Sequence, residues 1–251
     1  MHTADIPRGF IDALRNCRHL CVLTGSGISA ESGVPTFREA QTGLWARFDP
    51  HELATPEAFL RDPALIWRWY RWRRELITKV SPNAAHYALA RLAEILPKLT
   101  LITQNVDGLH QQAGSADVIE FHGNIYHDRC FVEGILVEQA DLSAEVPTCP
   151  DCGANLRPGV VWFGEAIPAD AMQAASSAVQ QCDLFLAIGT SALVWPAAGF
   201  AASAQENAAL VVEVNPDATP LTSATDYALR GKAGVLLPEL VNCLAPESCA
   251  K

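Results

Sequence analysis

The segment at residues 20–30 limits the fold of this chain more strongly than any other part of the sequence. An apolar run, LCVL, leads into TGSG and then ISA, and it places Gly25, Gly27 and Ala30 at G-x-G-x-x-G/A spacing. This pattern predicts a buried strand that turns tightly into a helix whose first backbone N–H groups hold a pyrophosphate. Taken alone, the same pattern also occurs where glycines serve only tight packing.

Further apolar runs end in small or polar residues in the same way. They are Lys98–Thr103, Val118–Phe121, Leu184–Ile188 and Ala209–Val214, and Val235–Leu237 is expected as the last strand. Helical patterns occur at Ile6–Arg18, at Thr55–Lys79 in two stretches around Asp62-Pro63, and at Asn83–Leu96. The alternation predicts an α/β fold with a doubly wound parallel sheet of the Rossmann type. Ligands of such sheets bind beyond the carboxyl ends of the strands.

Two segments interrupt this alternation. Residues 39–80 are helical and rich in aromatic side chains, and residues 123–160 contain proline, glycine and cysteine without a helical period. We therefore expect residues 1–38, 81–122 and 161–251 to form a discontinuous dinucleotide-binding domain. We expect residues 39–80 and 123–160 to form a smaller lobe, made of a helical module and a cysteine-containing module.

Composition and charge exclude several classes of protein. The 251 residues carry a formal net charge of −10, so bulk electrostatics predicts no nucleic-acid partner. No apolar run reaches the roughly 18 residues that cross a bilayer, and the N-terminal residues lack the pattern of a signal peptide. Eight cysteines, some inside predicted strands or helices, indicate reduced thiols. We expect a cytoplasmic, monomeric protein with no membrane partner.

Four motifs that follow the predicted strands carry a resemblance to a known family. They are GSGIS at 25–29, QNVD at 104–107, HGN at 122–124 and GTS at 189–191, and VWFGE follows the third at 161–165. In this order they resemble the sirtuin family of NAD-dependent protein lysine deacylases, from about Leu20 to Pro238. Ser26 replaces the alanine that is more usual there. The resemblance implies NAD as cofactor, acylated lysine side chains of proteins as substrates, and nicotinamide and O-acyl-ADP-ribose among the products.

His122 is the residue we expect to act as the catalytic base. A histidine titrates near neutrality, and the glycine after it leaves room for the ring to face a ligand. By the resemblance, His122 accepts a proton from a ribose hydroxyl after nicotinamide has left. Asn105 and Asp107 are expected to hold ribose and carboxamide groups, to order a water and to stabilise developing positive charge. The alternative for His122 is a histidine whose hydrogen bonds are all made within the core. The alternative for Asn105 and Asp107 is an ordinary Asn-x-Asp-Gly turn.

The resemblance also implies a set of cofactor-binding residues. They are Gly25, Ser26, Gly27, Ile28, Phe37, Arg38, Trp45, Gln104, Asn105, Asp107, Gly189, Thr190, Ser191, Asn215 and Ala233. Arg38 is equally compatible with a surface ion pair.

Tyr70 and Arg73 are spaced Tyr-x-x-Arg on a predicted helix, one turn apart on one face. A phenol beside a guanidinium forms a receptor for a carboxylate. The spacing resembles the sirtuin class that removes succinyl, malonyl or glutaryl groups, so we expect desuccinylase and demalonylase activity together with deacetylation. The alternative is a solvated basic helix face. Substrate peptide is expected to pair with a β-like segment formed by Val161, Trp162, Phe163 and Gly164.

Sirtuins usually hold a structural zinc between two Cys-x-x-Cys pairs. Here Cys149 and Cys152 form one intact pair, whereas Cys130 has no second cysteine. Three thiolates remain, and His127, Asp128, Glu133 or a water could supply a fourth ligand. A metal-free lobe held by packing is the alternative.

Other functions share parts of this pattern. A dehydrogenase would carry an acidic residue about 20 positions after its glycines, where this chain instead inserts Pro35, Arg38 and a Gly43-Leu44-Trp45 turn. A mono-ADP-ribosyltransferase shares the first chemical step. A non-catalytic ADP-ribose-binding module keeps the fold without the chemistry.

Overall fold

A computed structural model describes residues 6–35, 53–138 and 140–244 of the chain. Its strands are β1 (Leu20–Thr24), β2 (Leu99–Thr103), β3 (Ile119–Glu120), β4 (Gly123–Cys130), β5 (Leu136–Val137), β6 (Leu156–Val160), β7 (Leu184–Ile188), β8 (Leu210–Asn215) and β9 (Tyr227–Arg230). Its α-helices are α1 (Arg8–Arg15), α2 (Gly27–Ala30), α3 (Pro56–Arg61), α4 (Pro63–Ile77), α5 (Ala84–Ile95), α6 (Leu109–Gln112), α7 (Ala169–Gln181), α8 (Phe200–Glu206) and α9 (Ala233–Leu244). Short 3-10 helices lie at Ala197–Gly199 and Thr222–Ala224.

The larger sheet has six parallel strands in the order β3-β2-β1-β7-β8-β9. The chain moves outward in one direction from β1 to β3 and in the other from β7 to β9. Strand order therefore reverses between β1 and β7, where Thr24 pairs with Thr103 on one side and Ile188 on the other. A crevice forms at such a switch point beyond the carboxyl ends of the strands. The predicted doubly wound α/β fold is confirmed.

Helices cover both faces of this sheet. On one face α1, α5 and α9 pack onto β1, β7 and β8 through residues such as Phe10, Leu89 and Leu237. On the other face α7 and α8 pack through Val179 and Phe200. Strands buried on both faces explain why LCVL and LFLAI are almost continuously apolar.

A smaller sheet and two helices form the region that we call the small lobe, residues 53–77 and 123–160. Its antiparallel strands run in the order β5-β4-β6. Helices α3 and α4 pack on this sheet around buried aromatic rings, including Phe59, Trp67, Trp69 and Trp162. The extents of the two predicted domains, including residues 1–38 and 161–251, stay predictions.

Two sequence-based expectations about secondary structure were wrong. Val235–Leu237 lies inside helix α9, and the last strand is Tyr227–Arg230. A short apolar run does not distinguish a strand from a buried helical turn, and here Leu236, Leu237 and Leu240 are all buried on the helix. The cysteine-containing segment contains a three-stranded sheet where an irregular, loop-rich segment was expected. The described ranges contain no helix with the length and apolar character that a bilayer crossing requires.

Candidate active site

Three glycines allow backbone to pack against backbone at the carboxyl edge of the large sheet. Gly27 N donates to Gly189 O at 2.8 Å. An added Cβ would lie 2.8 Å from Thr190 Cα at Gly25 and 2.8 Å from Gly189 Cα at Gly27. Gly189 also has φ +57°, and its Cβ would lie 2.5 Å from Ile28 N. These loops therefore require glycine. A backbone that approaches a phosphate closely has the same requirement.

Asn105 and Asp107 follow β2 and are both buried in a polar network. Asn105 Nδ2 donates to Gly25 O at 3.1 Å and to Ser29 Oγ at 3.1 Å. Ser29 Oγ in turn donates to Asp107 Oδ2 at 2.7 Å, and Leu109 N donates to Asp107 Oδ1 at 3.0 Å. Burial raises the pKa of Asp107, while these hydrogen bonds oppose that shift. The network fixes the amide and the carboxylate beside the glycine loop.

Thr190 links three strand-end loops on the other side of the switch point. Gln104 Nε2 donates to Thr190 Oγ1 at 3.0 Å, and Asn215 Nδ2 donates to Thr190 O at 2.9 Å. A cavity of about 200 Å³ opens beside the glycines, and it is lined by Gly27, Ala30, Glu31, Gly189, Val214, Pro216, Lys232 and Ala233. A cavity beside glycine backbone at a sheet switch point fits a dinucleotide such as NAD.

The ring of His122 is held in one tautomer by the neighbouring strand end. His122 Nδ1 lies 3.1 Å from Gln104 O. Because a carbonyl oxygen only accepts, Nδ1 carries the proton and the lone pair is on Nε2. Burial lowers the pKa of His122, although the hydrogen bond to Gln104 works in the opposite direction. His122 is therefore a neutral imidazole with a basic nitrogen at neutral pH.

Two further histidines, His86 and His110, are fully buried behind this network, with ring centroids 4.8 Å apart. Asn83 N donates to His86 Nδ1 at 3.2 Å, so His86 carries its proton on Nε2, which faces Ser29 Oγ at 3.5 Å. His110 Nε2 lies 2.9 Å from Thr24 Oγ1. Burial lowers the pKa of His86 to about 4 and that of His110 to about 3. Both rings are neutral at neutral pH.

Tyr70 and Arg73 lie on α4, between the small-lobe core and the Asp107 loop. The Tyr70 hydroxyl accepts a hydrogen bond from Trp162 Nε1 at 2.8 Å, and burial raises its pKa. The Arg73 guanidinium lies over the Trp69 ring, 5.2 Å from its centroid. Burial lowers the pKa of Arg73, and the neighbouring Tyr70 and Asp107 oppose that shift. The phenol and the guanidinium are thus brought together next to Asp107.

The other arginines of α4 hold the small lobe together. Arg68 pairs with Glu145 at 3.4 Å, and Arg71 donates to backbone carbonyls of the same loop. Arg74 pairs with Asp128 of β4 at 2.8 Å. The crowding of arginines on this helix therefore has a structural cause in addition to any role of Arg73.

The segment after β6 is held in place by hydrogen bonds that its backbone N–H groups donate. Val161 and Phe163 donate their N–H groups to carbonyls of neighbouring segments at 2.8 and 2.9 Å. Trp162 N donates to the Glu165 carboxylate at 2.8 Å, and Gly164 has φ +86° in the same turn. The Trp162 ring is buried, whereas Phe163 is 38% exposed. Phe163, and not Trp162, presents its ring to solvent.

Three cysteines and one glutamate of the small lobe form a group that could hold a metal ion. Ligand atoms of Cys130, Glu133, Cys149 and Cys152 all lie within 4.8 Å of one another. Three thiols and a carboxylate are a donor set that suits zinc. His127 and Asp128 do not belong to this group.

Three expected site residues, Phe37, Arg38 and Trp45, lie outside the described residues. Sequence reasoning missed Ser29, Glu31, His86, His110 and Lys232. Ser29 is the last residue of the GSGIS motif, which is the local signal that could have indicated it.

Comparisons with known proteins agree with this geometry. The Sir2 family matches residues 25–196 of the chain. An NAD-dependent protein deacylase of Methylococcus capsulatus is 51% identical over 241 residues, covering 92% of this chain and 94% of that protein. An NAD-dependent protein deacylase of Aquifex aeolicus is 50% identical over 228 residues, covering 90% of this chain and 95% of that protein.

Solved structures of Sir2 proteins also resemble this chain. The crystal structure of a Sir2 homolog–NAD complex superposes with a TM-score of 0.90 at 43% identity, covering 97% of this chain and 96% of the other. A complex of Sir2 with a p53 peptide and NAD+ superposes with a TM-score of 0.82 at 31% identity, covering 94% and 97% of the two chains. The chain belongs to the Sir2 family of NAD-dependent protein deacylases.

Proposed function

We propose that this deacylase removes acyl groups that end in a carboxylate, such as succinyl and malonyl, and also removes acetyl groups. One observation supports the proposal: the Arg73 guanidinium interacts electrostatically with Tyr70 and Asp107, and the Tyr70 hydroxyl accepts a hydrogen bond from Trp162 Nε1 at 2.8 Å. A half-buried guanidinium has lost part of its hydration, so a carboxylate that reaches it gains a strong, charge-assisted interaction. An acetyl group leaves the same space underfilled without a clash.

His122 is proposed as the catalytic base. Its Nδ1 proton is held by Gln104 O at 3.1 Å, so Nε2 is the atom that accepts a proton from a ribose hydroxyl. Bound NAD supplies a ribose carbon from which nicotinamide departs and hydroxyls that receive the acyl group. Asn105 and Asp107 are proposed to hold these polar groups, because their own side chains are fixed by Ser29 and Gly25. A fixed carboxylate also stabilises positive charge that develops next to it.

The remaining proposals concern binding. Residues proposed to hold NAD are Gly25, Ser26, Gly27, Ile28, Gln104, Gly189, Thr190, Ser191, Asn215 and Ala233. Substrate peptide is proposed to lie along Val161–Gly164, where it has to use backbone groups other than the N–H groups of Val161 and Phe163, which already donate within the protein. We further propose a cytoplasmic protein, since the seven described cysteines are free.

A peptide assay tests the proposed specificity. Acetyl-, malonyl- and succinyl-lysine peptides are incubated with NAD and the protein, and acyl loss, nicotinamide and acyl-ADP-ribose are followed by mass spectrometry. Arg73→Met is expected to lower kcat/KM on the acidic acyl peptides by about 30-fold, because the substrate carboxylate loses its charged partner. Tyr70→Phe is expected to lower it by about 10-fold, because it removes one hydrogen bond to a charged group. The acetyl reaction is expected to change far less. Product masses also separate deacylation from ADP-ribosyl transfer to the protein.

The matched control is Arg71→Met, because Arg71 lies on the same helix but binds carbonyls of the small lobe. It is expected to leave the ratio of succinyl to acetyl activity unchanged. Equal loss on all three peptides in Arg73→Met and Tyr70→Phe contradicts the carboxylate receptor.

A further inference from the structure

Two turns of the small lobe have the same backbone geometry. Gly134 N donates to Cys130 O at 2.9 Å, and Gly153 N donates to Cys149 O at 2.9 Å. The two glycines also share a left-handed conformation, with φ of +70° and +75°. The segments 130–134 and 149–153 are therefore two copies of one turn. Within this repeat, residue 133 occupies the position that Cys152 occupies in the second turn.

Glu133 brings a carboxylate into the position of a thiolate. Its backbone N donates to Cys130 Sγ at 3.4 Å, which draws this turn around the sulfur. Cys130 Sγ and Cys152 Sγ lie 3.5 Å apart, and all four ligand atoms fall within 4.8 Å of one another. A tetrahedral zinc ion needs about 3.8 Å between two thiolates and about 3.6 Å between a thiolate and a carboxylate oxygen, from Zn–S and Zn–O distances of about 2.3 and 2.1 Å. The four atoms are close to this arrangement without rebuilding of either turn.

The other candidates for a fourth ligand are already engaged. Asp128 pairs with Arg74 at 2.8 Å, on the side of β4 that faces helix α4. His127 Nδ1 lies 3.8 Å from the Glu120 carboxylate. Among the described residues, no basic side chain lies within ion-pair distance of the Glu133 carboxylate. Glu133 is thus an acidic group next to three thiols, and no positive charge in the described part of the chain pairs with it.

We propose that Glu133 is the fourth ligand of a metal site whose other ligands are Cys130, Cys149 and Cys152. Three thiolates and one carboxylate carry the same formal charge as four thiolates, so the electrostatic attraction for a divalent cation is preserved. The oxygen ligand is harder than sulfur, which makes the site less selective for soft, thiophilic ions. Glu133 is exposed, so its carboxylate is the ligand that water replaces most easily.

The site is tested by measuring metal binding to the full chain, and deacylation is not measured. Protein stripped with a chelator is titrated with Co²⁺, whose thiolate charge-transfer band reports the number of sulfur ligands, and Zn²⁺ affinity is measured by competition with a chromophoric chelator. Loss of a group that only supports a ligand costs about 10- to 100-fold in metal affinity. Glu133→Ala is expected to weaken Zn²⁺ binding by at least that factor. Glu133→Cys is expected to tighten it and to strengthen the charge-transfer band.

Asp151→Ala is the matched control, because Asp151 is an exposed acidic residue of the second turn that lies outside the ligand group. It is expected to bind Zn²⁺ as the wild type does. Wild-type affinity in Glu133→Ala overturns the proposal. If Glu133→Ala does not fold, Glu133→Cys decides: an unchanged charge-transfer band overturns the proposal, and a stronger band supports it.

Discussion

The carboxyl edge of the parallel sheet and the small lobe meet near His122, and they are built from different kinds of contact. At the edge, glycine backbone packs on backbone, and the buried side chains of Asn105 and Asp107 are linked by hydrogen bonds to Ser29 Oγ. In the small lobe, aromatic rings pack together, with the Phe59 and Trp162 centroids 5.4 Å apart. Long arginine side chains of α4 then join helix to sheet.

This difference has a consequence for function. Contacts between backbones leave no volume for another side chain, so the edge tolerates little change and preserves one chemistry. Contacts between large side chains can be exchanged one at a time. Under the proposed role of Tyr70 and Arg73, the edge is the conservative half of the site and the small lobe is the half in which acyl specificity can change.

The largest expected effect comes from His122, which contacts both regions through Gln104 O and Val161 N. His122→Ala removes the proposed base, and kcat/KM is expected to fall by about 10²- to 10⁴-fold on every acyl peptide. NAD affinity, measured by calorimetry, is expected to stay near that of the wild type. A variant that loses NAD binding but keeps turnover at saturating NAD would show that His122 positions the cofactor and is not a base.

The pH profile of the wild type sharpens the same prediction. Burial lowers the pKa of His122, so its neutral form persists as the pH falls below the ordinary histidine value of 6.5. Activity is therefore expected to decline only below pH 6.5, when the ring finally takes up a proton. An acid limb of kcat/KM that is centred above pH 6.5 would argue against this environment.

Gly189→Ala tests the backbone packing of the edge. Residue 189 has φ +57°, which alanine rarely adopts, and the new Cβ would lie 2.5 Å from Ile28 N. The loop that lines the cavity therefore has to move. The unfolding free energy is expected to fall by more than the roughly 1–2 kcal/mol that a left-handed residue costs, and the KM for NAD is expected to rise. Thermal unfolding and initial rates at varied NAD measure the two effects.

The control for Gly189 is Gly114→Ala. Gly114 has φ +92°, and nothing lies within 4 Å of its Cβ position. It therefore carries the conformational cost without the clash. If the two variants behave alike, close packing does not constrain the edge, and the contrast with the small lobe fails.

Local sequence patterns predicted the parts of the fold that depend on local interactions. The run LFLAI coincides with β7, and Asn83 caps α5 as its position before an apolar periodic segment indicates. The strand assigned to Val235–Leu237 failed because a buried turn of helix is apolar over the same length. The sheet of the small lobe escaped prediction because β5 has only two residues and because β4 pairs with a strand distant in sequence, as Cys130 does with Leu156.

The candidate site shows the same difference between residues with a local sequence signal and residues placed by long-range contacts. Glycine loops and strand-end motifs predicted Asn105, Asp107 and His122 as site residues, since each follows a recognisable strand. His86 and His110 were missed, because their contacts with Ser29 and Thr24 span 57 and 86 residues. Nothing local distinguishes such a buried histidine from a surface one. Long-range packing of this kind has to be seen in three dimensions.

These two histidines give one more expected effect, a difference in acid sensitivity between the regions. In the unfolded chain they bind protons below pH 6.5, whereas in the folded protein His86 and His110 stay neutral until about pH 4 and about pH 3. The folded state thus binds fewer protons, so its stability falls with pH below 6.5, by about 2 kcal/mol per histidine at pH 5.

Urea unfolding at pH 7 and pH 5 measures this difference. Between pH 7 and pH 5 the unfolding free energy is expected to fall less in His86→Gln than in the wild type. The difference is most of the about 2 kcal/mol that one buried histidine contributes. If His86→Gln keeps the wild-type loss, acid sensitivity does not originate in the buried network of the edge, and the two regions differ in geometry alone.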